Sequence, residues 1–190
     1  MQKLLSAAAA AAALLALPLA AQATVYQFNA SLNGAQQVPV NAATGTGVAT
    51  LSYNDFGTLS TADDTFNFSL GVFGLTGTAT GAHIHAAALA GFNAGVVVDL
   101  GAAPFAALNG GGTLLIGGNN VPVVDTSLLS NLQASKAYVN VHTALNPGGE
   151  IRGQLIQVAA VPEPSTYAML AAGLGLVGFV ARRRSGSKAR

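Results

Sequence analysis

The chain has 190 residues, 51% of them hydrophobic and only 8% charged, with no cysteine and a formal net charge of +1. Without cysteine, a disulfide scaffold and a thiolate metal site are both excluded. Basic residues gather at the ends: between residues 24 and 160 only Lys136 and Arg152 stand against Asp55, Asp63, Asp64, Asp99, Asp125 and Glu150, a net charge of −4 that disfavours a nucleic-acid partner.

Residues 1–23 carry Lys3, an apolar run from Leu4 to Leu19, and then Ala21-Gln22-Ala23. A basic start, a short apolar stretch and a small-x-small ending make a secretory signal peptide, cut after Ala23 by signal peptidase so that Thr24 begins the mature chain. The run is too short for a permanent span, which needs about 20 apolar residues.

From Thr24 onward short alternating segments are punctuated by Gly, Asn, Asp and Pro. Strands are expected at Thr24 to Leu32, Gly45 to Tyr53, Thr65 to Leu75, Thr78 to His85, Gly95 to Leu100, Thr113 to Ile116, Ala137 to Thr143 and Gly149 to Val158. In the third, Phe66, Phe68, Leu70 and Val72 share one face. Seven to nine such strands predict an all-β antiparallel sandwich or flattened barrel. One helix is expected within Thr126 to Ala134, capped by Asp125 or Thr126. The Gly-rich stretches Gly110 to Gly112 and Gly117 to Asn120 read as mobile loops; a phosphate cradle would need a following helix and a Lys, which are missing.

All three histidines fall in two of these strands, G-A-H-I-H at Gly81 to His85 and Y-V-N-V-H-T at Tyr138 to Thr143. Side chains alternate along a strand, so His83 and His85 share one side, and Tyr138, Asn140 and His142 share another. The loop A-L-N-P-G-G from Ala144 to Gly149 predicts a hairpin to the last strand, G-E-I-R-G-Q-L. If the apolar faces are to coincide, Glu150, Arg152 and Gln154 must join the histidines on an outward face, since a one-residue slip would bury the charges.

Three imidazoles, two of them in an H-x-H pair, suit copper or zinc and leave a coordination position open. Asn140, Glu150 and Arg152 would then orient the ligands from behind. The competing expectation is that the three rings hydrogen-bond to Glu150, Asn140 or Thr143 and merely order nearby loops. Paired-carboxylate hydrolysis by Asp99 and Glu150 has no spacing to recommend it, and no G-x-S-x-G elbow supports a serine nucleophile.

At Val161 the text changes to V-P-E-P-S-T, followed by Tyr167 to Ala181 without a charge and then Arg182, Arg183 and Arg184. Pro162 and Pro164 hold Glu163 extended and accessible. The fifteen uncharged residues would make a helix of about 22 Å, short for a hydrocarbon layer of about 30 Å. Passage through the inner membrane is therefore expected to be transient, with the arginines on the cytoplasmic side.

This tail, residues 161–190, resembles the PEP-CTERM sorting signal of Gram-negative bacteria. The resemblance implies that an exosortase recognises Pro162, Glu163 and Pro164 and removes the segment. The middle of the chain, residues 24–160, resembles a CHRD domain through F-N-A-S-L-N-G-A-Q-Q-V-P-V at Phe28 to Val40, G-A-H-I-H, the strand Gly95 to Leu100, Y-V-N-V-H-T and G-E-I-R-G-Q-L. It departs at Gln37, where Glu is frequent, and at the alanine-rich Ala86 to Ala90.

That likeness implies an immunoglobulin-like or superoxide-dismutase-like β-sandwich and carries no established reaction. The order G-x-H-x-H and then V-H is also similar to the copper ligands of Cu/Zn superoxide dismutase, although that enzyme's zinc-loop histidines and cysteines have no counterpart here. The expected protein is thus a non-enzymatic, exported binding module of the cell envelope, outer surface or secreted matrix. Extracellular polysaccharide or envelope proteins are its expected partners, and a three-histidine metal site is the alternative.

Overall fold

A computed structural model describes residues 23–103 and 112–159, the backbone of 106–110, and residues 170–178. Ala21 and the rest of the expected leader, and the sorting residues Pro162, Glu163 and Pro164, lie outside the described residues; Ala23 is exposed. The chain divides into two units, Met1–Val158 and Ala159–Arg190. In the second, residues 170–178 are helical and exposed. No helix among the described residues is long and apolar enough to cross a membrane.

Among the described residues the first unit has ten strands: β1 (Val25–Asn33), β2 (Thr46–Asn54), β3 (Thr65–Phe73), β4 (Ala79–Ala86), β5 (Gly95–Asp99), β6 (Ala106–Gly110), β7 (Thr113–Pro122), β8 (Ala137–Thr143), β9 (Ile151–Gln154) and β10 (Ile156–Val158). They form one antiparallel sheet in the order β5-β4-β8-β9-β1-β2-β3-β7-β6, with β10 also on β1. The sheet curls so that its two halves face each other across one core. Phe28 and Leu32 of β1, Leu51 of β2, and Phe66, Phe68, Leu70 and Val72 of β3 meet Ile84 of β4, Val139 and Val141 of β8 and Ile151 of β9. Alternation is the cause: every second residue of these strands is apolar and turns inward. With no disulfide available, burial of about 1.5–3 kcal/mol per large aliphatic side chain carries the stability.

Three expectations about the elements are corrected. The last strand is two, because Leu155 leaves the ladder to donate its N–H to the Ala137 carbonyl (2.9 Å) and bury its side chain. Gly117 to Asn120 is not a loop but part of β7, paired to β3 across a register shift between Phe66 and Phe68. Pairing with a central strand overrides the low intrinsic strand preference of glycine. The helix α1 (Leu128–Gln133) lies within the expected stretch, but its N-cap is Ser127, and Asp125 accepts from Ser127 N and Oγ instead of capping the first turn itself.

Candidate metal centre

The hairpin joining β8 to β9 sets the site. Its register pairs Tyr138 with Gln154, Asn140 with Arg152 and Val141 with Ile151, while on the other side of β8 His85 lies opposite Tyr138, His83 opposite Asn140 and Gly81 opposite His142. His83, His85, Tyr138, Asn140, His142, Arg152 and Gln154 therefore share one face, as the alternation requires. The expectation that this face is outward is overturned: Glu150 is 0% exposed, Arg152 2%, Asn140 6% and His85 8%.

Two loops cover the face, each held by polar groups. Gln37 donates to Asn140 Oδ1 (2.6 Å), and Asn41 Nδ2 donates to the carbonyls of Gly149 and Glu150 (3.0 Å each). From residues 87–94, Ala88 donates to the Lys136 carbonyl (2.8 Å), and the Ala88 and Phe92 carbonyls accept from Gln154 Nε2 (2.9 Å) and Arg152 Nη2 (2.8 Å). Asn93 clasps the two loops, accepting from Arg152 Nη1 (3.1 Å) and donating to the Val38 carbonyl (3.0 Å). Gly149, at φ +126°, must be glycine: a Cβ there would stand 2.6 Å from Asn140 Oδ1.

Glu150 and Arg152 do not pair with each other, because each side chain is taken by its own loop. Glu150 accepts from Thr76 N (2.6 Å), Thr76 Oγ1 (2.9 Å), Thr143 Oγ1 (2.6 Å) and Asn146 Nδ2 (3.3 Å). Burial pushes its carboxyl upward, but these hydrogen bonds outweigh it and hold the pKa below the usual 4.5. Arg152 lies over the Tyr138 ring, its guanidinium carbon 3.4 Å from the centroid.

The three imidazoles converge at the other end of this face. The ring centroids of His83 and His142 are 4.9 Å apart, those of His83 and His85 5.7 Å, and those of His85 and His142 6.3 Å. Gly81 leaves room for them: a Cβ there would lie 3.3 Å from His83 Cε1. His85 Nδ1 is 3.0 Å from the Ala94 carbonyl and His142 Nδ1 2.9 Å from the Pro147 carbonyl. A carbonyl only accepts, so in the neutral rings both Nδ1 atoms carry the proton and both Nε2 atoms present lone pairs. His85 Nε2, His142 Nε2 and His83 Nδ1 are all buried without a hydrogen-bond partner.

One ring nitrogen from each histidine lies within 4.8 Å of the other two. Metal–nitrogen bonds of about 2.0–2.1 Å require donors about 3.3–3.6 Å apart, so small ring rotations bring this set to coordination distance. Burial first, and then the neighbouring imidazoles, pull the pKa values of His83 and His85 below 6.5, which keeps both rings neutral and able to ligate. Asp99 Oδ1 stands 3.9 Å from His83 Nε2 and partly opposes that shift. Asp99 and Glu150 thus serve different side chains, and no carboxylate pair is assembled from them.

The CHRD domain family model matches residues 28–155. The chain belongs to the CHRD-domain family. The PEP-CTERM protein-sorting motif matches residues 160–184. Comparison with curated proteins and with solved structures returned no match. The sorting motif implies exosortase processing and export through the membrane to the cell envelope of a bacterium. The sequence had already gathered His83, His85, His142, Asn140, Glu150 and Arg152 on one face. It gave no role to Thr76, Asn93 or Gly81, although the glycine two residues before an H-x-H pair is a spacing that could have prompted one.

Proposed function

We propose that this CHRD protein is a non-catalytic metal-binding module of the bacterial envelope, with copper or zinc held by His83 Nδ1, His85 Nε2 and His142 Nε2. One observation carries the reading: the three rings bring one nitrogen each within 4.8 Å of the others, and each ring has a buried nitrogen without a hydrogen bond, while the Nδ1 atoms of two rings are tied to main-chain carbonyls. Rings that only ordered loops would spend their nitrogens on Glu150, Asn140 or Thr143. Glu150 and Thr143 bond each other, and Asn140 bonds Gln37. Backbone carbonyls behind ligating imidazoles fix ring tautomer and aim.

The test is metal content of the protein from its host, together with titration of chelator-treated protein by Cu or Zn. At an ion concentration of a hundred times Kd the folded state should gain about 2.7 kcal/mol, read as a rise in Tm. A flat Tm across both titrations and a metal-free native protein would remove the reading. A superoxide-consumption assay on the loaded protein should give no rate above that of the free ion. The intact mass of the mature protein tests signal-peptidase cleavage after Ala23 and exosortase removal of the tail. Polysaccharide or envelope-protein partners find their support in the sorting motif, and pull-down from the host envelope tests them.

A further inference from the structure

The same polar face holds a second candidate site, on the β9 side of Tyr138. A cleft of about 470 Å³ opens between Gln37, Val38 and Pro39 on one wall and Ala90 and Gly91 on the other, with Arg152 at its floor. Arg152 is 2% exposed, yet its hydrogen-bond partners, Asn93 Oδ1 and the Phe92 carbonyl, are neutral. Among the described residues no carboxylate makes an ion pair with it. Glu150, two residues away, is committed to Thr76, Thr143 and Asn146.

A buried cation without a counter-charge is costly, and a guanidinium has five N–H donors in a fork matched to a planar carboxylate. The wall amides add a second preference. Gln36 and Gln37 spend their Nε2 groups on the Ser31 carbonyl and Asn140 Oδ1, which leaves their side-chain oxygens to accept from hydroxyls. We propose that this cleft binds a small carboxylate bearing hydroxyls on neighbouring carbons, the chemistry of a sugar acid, with Arg152 taking the carboxylate. The site is separate from the histidines and does not depend on a metal there.

The experiment is titration of the full chain, chelator-treated and then zinc-loaded, with glucuronate, glucose and acetate, followed by the ¹⁵N resonance of Arg152 Nε and by calorimetry. Glucuronate should saturate the Arg152 shift in both forms, acetate should bind more weakly, and glucose should leave the shift in place. Ala90→Trp fills the cleft from an exposed position and should weaken glucuronate at least about 10-fold without lowering Tm; Arg152→Lys should weaken it as well by losing the planar fork, and should lower Tm through the lost bonds to Asn93 and Phe92. Binding that disappears on chelation belongs to the metal and overturns the proposal. So does equal binding of glucose, unchanged affinity in Ala90→Trp, or a flat Arg152 resonance.

Discussion

Strands β4, β8 and β9 cover most of both of their faces, and by opposite means. One face presents Ala82, Ile84, Val139, Val141 and Ile151 to the core formed with the other half of the sheet. The other presents His83, His85, Tyr138, Asn140, His142 and Arg152, and loops close over Asn140, Arg152 and Gln154 with matching polar groups. The apolar face is non-directional and tolerates rearrangement, whereas the polar face is stable only while each partner is in place. What remains unmatched on it, three ring nitrogens and one guanidinium charge, is where chemistry can enter.

Deleting one large side chain from each face should separate them. Ile84→Ala opens a cavity in the core and should cost about 2–5 kcal/mol in denaturant unfolding, the largest single effect expected. On the polar face Glu150→Ala strands the Thr76 and Thr143 donors and should cost about 3 kcal/mol, with Glu150→Gln costing less because one amide oxygen still accepts. If Glu150→Ala is neutral by the same measurement, the account of that face as a set of obligatory pairs is wrong.

Smaller in energy is His142→Ala, which should weaken metal binding by about 100-fold, equivalent to about 2.7 kcal/mol, while moving the metal-free Tm little. Competition titration against a chromogenic chelator reads it. The smallest effect is that of pH on the metal-free protein. His83 and His85 have folded pKa values below the ordinary 6.5, so the unfolded chain takes up protons first and stability should decline as pH falls below about 6.5. A second decline should begin below about pH 4.5 as Glu150 protonates, and should be absent in Glu150→Gln. Stability that rises on acidification through the first window would contradict the burial of the imidazoles.

Much of this arrangement was legible in the sequence. Period-two alternation and the N-P-G-G turn were enough to fix which residues of β4, β8 and β9 share a face, because the apolar set left a single register. What covers that face was not legible. Gln37 reaches Asn140 across 103 residues and Asn93 reaches Arg152 across 59, and nothing in a loop's own composition reports so distant a docking. A charged residue on a non-core strand face reads as solvated, so Arg152 and Glu150 were expected outside. Gly117 to Asn120 misled for the mirror reason: a local preference for loops was overruled by pairing with β3.

Tyr138 stands between His85, stacked on it at 4.8 Å and 1° from parallel, and Arg152 from the opposite neighbouring strand. A phenol gripped in this way cannot turn over without prising apart the layers around it. Its two edges should therefore exchange slowly enough to give separate proton resonances, and the imidazole plane of His85 is kept from drifting by a ring that offers no donor to the proposed metal itself.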